Sequence, residues 1–122
     1  MEIKKVHSDK RGETHSLTSE LLHFPEVAIF YTKKGVARGG CIHPKSIEYL
    51  CVIEGEIEYV YGEDMNKITL GPGDSFAIPE KVPHYFLALE DSLVMEWGPP
   101  LEEKQEHHEY FRSIVMALNQ HV

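Results

Sequence analysis

Gly35-Val36-Ala37-Arg38-Gly39-Gly40-Cys41-Ile42-His43, followed by Glu48 and Gly55, and later Gly73-Asp74-Ser75-Phe76-Ala77-Ile78-Pro79, followed by Pro83-His84, are the stretches that decide the fold of this chain. Cys41, His43, Glu48 and His84 carry side chains that bind first-row transition metals. They stand on segments rich in strand-forming residues. Residues two apart in a strand face the same way, so Cys41 and His43 are expected to point together into the interior. A turn at Pro44-Lys45-Ser46 brings the next strand back beside them, with Glu48 near its start. His84 opens a later strand after Pro83, and closure of a β-structure carries it opposite. Three or four such ligands suit one divalent metal.

Working outward, short strand patterns alternate with turns containing Gly and Pro. Strands are expected at Val27–Tyr31, through Cys41–His43, and at Ile47–Ile53, Glu56–Tyr61, Lys67–Leu70, Ser75–Ile78, His84–Leu89 and Leu93–Trp97. No βα alternation is present, which argues against a doubly wound sheet. The pattern predicts an all-β protein, a small antiparallel β-barrel or jelly roll over residues 26–97. Residues 1–15 are polar and charged and read as an irregular N-terminal arm. Gly98-Pro99-Pro100 ends the strand pattern, and Glu102-Glu103 suits a helix N-terminus. Tyr110, Phe111, Ile114, Val115 and Leu118 recur at helical spacing, so one C-terminal helix is expected over 101–119, packed on the barrel or on a second subunit.

A length of 122 residues predicts a single domain over 1–122. The formal charge of −8 argues against nucleic acid and anionic membranes as partners. No apolar run approaches the ~20 residues of a membrane helix. Met1-Glu2-Ile3-Lys4-Lys5-Val6 lacks the apolar core of a signal peptide, and a cytoplasmic location is expected. Cys41 and Cys51 are then free thiols. Of eight histidines, His7, His15, His23, His107, His108 and His121 are expected on the solvated surface. Exposed strand edges invite pairing, so a homodimer is expected.

The segment from Gly35 to Gly55 resembles the first motif of the cupin superfamily, and Gly73 to His84 resembles the second. In the first, Cys41 stands in the place of the first histidine, His43 of the second, Glu48 of the glutamate and Gly55 of the closing glycine. In the second, Gly73, Pro79 and His84 match, whereas Lys81 replaces a glycine and Ala88 a frequent asparagine. The resemblance implies a cupin fold and a metal held by Cys41, His43, Glu48 and His84. A thiolate at Cys41 favours zinc or iron, with nickel and manganese also accommodated. The other reading of Cys41 is a small buried hydrophobe in a metal-free pocket.

A second resemblance lies upstream. Asp9-Lys10-Arg11-Gly12 and Gly35-Val36-Ala37-Arg38-Gly39 are similar to elements of nucleotide-sugar cupins, the dTDP-4-dehydrorhamnose 3,5-epimerases and related 3,4-ketoisomerases. The histidine base that this resemblance implies falls at Cys41, and of the ketoisomerase pair only His43 remains. Arg38 is the candidate for a phosphate or carboxylate of the substrate. Three readings of function follow: a metal-dependent enzyme acting on a small polar or sugar-like molecule, an epimerase or ketoisomerase relative, and a non-catalytic small-ligand binder. In the first, Glu48 is ligand and catalytic base together, and Leu50, Val52, Phe76 and Ile78 line an apolar pocket.

Overall fold

The computed structural model describes residues 2–18, 26–100 and 102–122. The strands are β1 (Glu2–Asp9), β2 (Gly12–Thr18), β3 (Val27–Thr32), β4 (Ala37–Ile42), β5 (Glu48–Glu54), β6 (Ile57–Tyr61), β7 (Asn66–Leu70), β8 (Ser75–Ile78), β9 (His84–Ala88), β10 (Ser92–Trp97) and β11 (Glu106–His107); the helix is α1 (Glu109–Leu118). They form two antiparallel sheets, ordered β1-β2-β3-β10-β5-β8 and β11-β4-β9-β6-β7. The sheets face each other as an open jelly-roll sandwich rather than a closed barrel. All eight strands expected from residue 27 to residue 97 are present.

The expected alternation places the core. Leu50, Val52, Ile57, Tyr59, Leu70, Ile78, Phe86 and Val94 meet between the sheets. Leu50, Val52 and Ile78 are therefore core residues and not the lining of a pocket. A second cluster of Ala37, Val60, Tyr85, Phe111 and Val115 lies on the outer face of the smaller sheet, where α1 covers β4. Phe111 and Val115 sit four residues apart, one helical turn, so both meet the sheet.

Two expectations are corrected at the ends of the chain. The arm is not irregular: residues 2–9 and 12–18 form a hairpin whose second strand continues the larger sheet through β3. Every residue of β1 is exposed, so its sequence carries no buried-face alternation, and only backbone pairing makes it a strand. The helix begins at Glu109 and not at 101. Glu106 and His107 instead pair with Ile42 and Cys41 on the free edge of β4. His108 then caps the helix, its side chain accepting from the Phe111 amide.

The glycine pair in β4 sets the geometry of everything that follows. Gly39 and Gly40 have φ of 111° and 89°, and the register to β9 shifts between Gly39 and Cys41. This extra residue is a β-bulge. Without it, alternation from the inward Arg38 would turn Cys41 outward; with it, Cys41 pairs with His84 and faces in. A Cβ on Gly40 would lie 2.8 Å from Arg112 Cα, so side chains there collide with the helix. Gly40→Ala is expected to cost about 3 kcal/mol, from backbone strain plus overlap. Urea unfolding of the two proteins measures it, and a change within about 0.5 kcal/mol would contradict the role given to the bulge.

Candidate functional site

Glu48, at the start of β5, is the centre of the site. Its side chain is 8% exposed; Oε2 lies 2.6 Å from His43 Nε2 and Oε1 lies 3.3 Å from His84 Nε2. The His43 and His84 rings stack at 6.2 Å. His84 is held from behind, its Nδ1 3.0 Å from the Val82 carbonyl, which leaves Nε2 as the atom aimed at Glu48. His43 Nδ1 faces Glu103 Oε2 at 3.6 Å. Glu103 is anchored by Ser46 Oγ, which donates to Oε1 at 2.7 Å. Glu103 is thus not the helix N-terminal acid that its position suggested but a buried partner of the site.

The electrostatics follow from this contact pattern. Burial alone raises a carboxyl pKa, but His43 and His84 outweigh it and take Glu48 down to about 2. Burial lowers the His43 pKa, and Glu48 and Glu103 more than restore it, leaving it raised. Held so low, Glu48 is a poor proton acceptor while both imidazoles touch it. Its expected role as a base requires one ring to turn away.

Sequence reading missed Glu96. It lies on β10 opposite Leu50 and Ala28, facing inward beside Glu48. Burial, and then the Glu48 charge, push its pKa well above the carboxylate range. Two inward carboxyls driven in opposite directions are a recognised acid–base signature. The signal was present in the alternation of Ser92, Val94 and Glu96, which puts an acid on a core-facing row. Tyr59, wholly buried and stacked on His84 at 6.1 Å, has a hydroxyl without a hydrogen bond among the described residues.

Two cavities of about 240 Å³ each share Phe30, Glu48, Glu96 and Gln105. One carries Cys41, His84 and Arg38; the other carries His43 and Glu103. His43 stands just beyond the end of β4, so Cys41 and His43 are divided between the two cavities, with Glu48 lining both. Burial raises the Cys41 thiol pKa, against the pull of Arg112. Cys41 and Cys51 are free, as expected. His107 is exposed, as expected, and borders the mouth of the first cavity. His23 lies outside the described residues.

Among the described residues no three of His, Cys, Asp or Glu form a ready-made metal shell. The imidazoles close on the carboxylate instead of standing around a common point. The donor chemistry nevertheless fits. Ligand atoms of a divalent ion bound at about 2.0–2.2 Å lie about 2.9–3.4 Å apart. The 3.3 Å contact already matches this, and the 2.6 Å contact would open by roughly 0.3 Å. His43 Nε2 is buried and lacks an aligned hydrogen bond despite its nearness to Glu48, an unmet demand that a cation bound between the two would satisfy.

The cupin domain profile matches residues 31–98, more than half of the chain. This chain is a cupin. No curated protein matches it. Among solved structures, this cupin is similar to the capsular polysaccharide assembling protein CapF from Staphylococcus aureus, with a TM-score of 0.72 and 15% identity over 88% of this chain and 32% of CapF. It therefore spans about a third of that protein. It is also similar to KdgF from Halomonas sp., with a TM-score of 0.62 and 22% identity over 82% of this chain and 88% of KdgF. Likeness to dTDP-4-dehydrorhamnose 3,5-epimerase from Sulfolobus tokodaii has a TM-score of 0.59 and 24% identity, over 80% of this chain and 68% of the epimerase. At these identities the shared property is the cupin fold. Among the described residues no helix is long and apolar enough to cross a membrane.

Proposed function

We propose that this cupin is a metal-dependent enzyme acting on a small polar molecule, with His43, Glu48 and His84 holding one divalent transition metal. The observation that carries the reading is the meeting of two imidazole Nε2 atoms on one buried carboxylate, each ring with its Nδ1 facing an oxygen. Such outer partners orient metal-binding histidines and raise their basicity. Two imidazoles and a carboxylate suit zinc, iron, nickel or manganese. Cys41 stands beside this set in the cavity wall, and a thiolate there would tilt the choice toward zinc or iron.

When bound, the ion supplies a Lewis acid for an oxygen of the substrate. The chain's own residues do the remainder. Glu96, kept protonated by its surroundings, donates a proton to a group developing negative charge in the cavity. Buried Tyr59 offers a second hydroxyl next to His84. Phe30 and Phe86 give the same cavity its apolar wall. The epimerase-like reading is favoured by one observation, the presence of both Arg11 and Arg38 at this cavity. Its implied histidine base is missing, because Cys41 occupies that place.

Elemental analysis of protein purified without chelator or nickel affinity tests the metal. The expected content is about one equivalent, falling at least tenfold in His43→Ala, because second-order loss from even outer partners is already ~10–100-fold in affinity. Less than about a tenth of an equivalent of every transition metal in the wild type, before and after incubation with zinc and ferrous iron, overturns the reading.

A further inference from the structure

This chain has three arginines, and all three line one cavity. Arg11 comes from the turn between β1 and β2, Arg38 from β4 and Arg112 from α1. None of the nine lysines lines it. In a chain of net charge −8 this is a concentrated positive site. Each guanidinium is fixed by part of its donor set. Arg11 Nε and Nη2 donate to Asp9 Oδ2 at 2.9 and 2.8 Å. Arg38 Nε donates to Thr32 Oγ1 at 2.8 Å, Nη2 to the Tyr31 carbonyl at 3.3 Å, and the group lies over Phe30. Arg112 Nη1 donates to the Gly39 carbonyl at 2.9 Å, at the bulge.

These anchors orient the groups without neutralising Arg38 or Arg112. Neither has an ion pair among the described residues, and Arg38 is only 9% exposed. A buried guanidinium without a carboxylate is costly unless an anion completes it, and its planar fork suits carboxylate and phosphate. Two acidic side chains share the wall: the Glu48 carboxylate, already engaged by His43 and His84, and Glu96, which burial and the Glu48 charge drive toward its neutral form. The volume of about 240 Å³ holds about eight water-sized groups, which suits the oxyanion end of a small acid.

We propose that this cavity binds the oxyanion of a small acid, seated by Arg11, Arg38 and Arg112. Its placement of the rest of that molecule against Glu48 and His84 rests on the function proposed above. The oxyanion site itself does not need the metal.

Calorimetric titration of chelator-treated and metal-loaded protein, at constant ionic strength, uses malonate, inorganic phosphate and neutral malonamide. Malonate or phosphate is expected to bind both forms, and malonamide neither. Arg112→Gln and Arg11→Gln, both outside the core, are each expected to weaken binding about tenfold or more, and Lys67→Gln to leave it unchanged. Malonate binding assigns a carboxylic acid; phosphate binding without malonate assigns a phosphate monoester. Binding by neither anion, or equal binding by both arginine variants and wild type, overturns the proposal. Anion binding in a protein that takes up no metal removes the metal reading and leaves this site standing; metal uptake without anion binding does the reverse.

Discussion

Glu48→Gln is expected to lower the stability of chelator-treated protein by about 3 kcal/mol near pH 6, the linkage value of a carboxyl moved from 4.5 to about 2. The sign follows from the direction of the shift. A carboxyl with a depressed folded pKa stabilises above its unfolded value and loses that contribution as pH falls through its folded value. The wild-type advantage should therefore shrink across the window from about 4.5 to about 2, to less than about half by pH 3. His43 works in the opposite sense. Its raised pKa contributes stability below the unfolded value of 6.5, and that is lost as pH rises through the folded value. Urea unfolding of wild type and variant at pH 6 and pH 3 reads the Glu48 contribution, and unfolding of the wild type and His43→Ala at pH 6 and pH 9 reads that of His43. Equal stability at pH 6 would mean that Glu48 is not held charged between the two imidazoles.

Phe111→Ala is expected to cost about 3–5 kcal/mol, the range for truncating a buried aromatic. Phe111 is wholly buried, meets Tyr85 edge-to-face at 5.8 Å, and fastens α1 to the outer face of the smaller sheet. The neighbouring residue is Arg112. Loosening the helix thus reaches the cavity as well as the core, and the variant should lose malonate affinity together with stability. Unfolding midpoints and titration on the same samples separate this from Arg112→Gln, which should lose affinity alone. A Phe111→Ala protein with unchanged affinity would detach the helix from the site.

The middle of the chain was legible because each strand there has one buried face, so side-chain alternation and backbone pairing tell the same story. Glu48 and His84 were placed correctly at strand starts for that reason, and they do meet. The fully exposed β1 has no such face, and a polar strand reads the same as a polar loop. The short β11 was hidden for a different cause: two residues are captured by a partner edge more than sixty positions earlier, a relation invisible to local pattern. Cys41 and His43 were expected to share one direction from strict period-two counting. The bulge at Gly40 and the end of β4 at Ile42 intervene, and together they divide the two residues between neighbouring cavities. Glu103 looked like a helix-starting acid because acid after proline is a local signal. Its real partners, Ser46 and His43, are distant in sequence.

The pairing of β3 with β10, in the middle of the larger sheet, joins residues sixty to seventy positions apart. Closing such a loop costs entropy before the contacts reward it, which makes topologies of this kind slow to fold. The guanidiniums of the cavity stand on the hairpin, the bulge and the helix, so they converge only after the sheets and α1 are all in place. A molecule seated there binds the finished fold and has no counterpart in the folding transition state. It would leave the folding rate unchanged and act by slowing escape from the native state, so that the anion lengthens the lifetime of each folded molecule without hastening its formation.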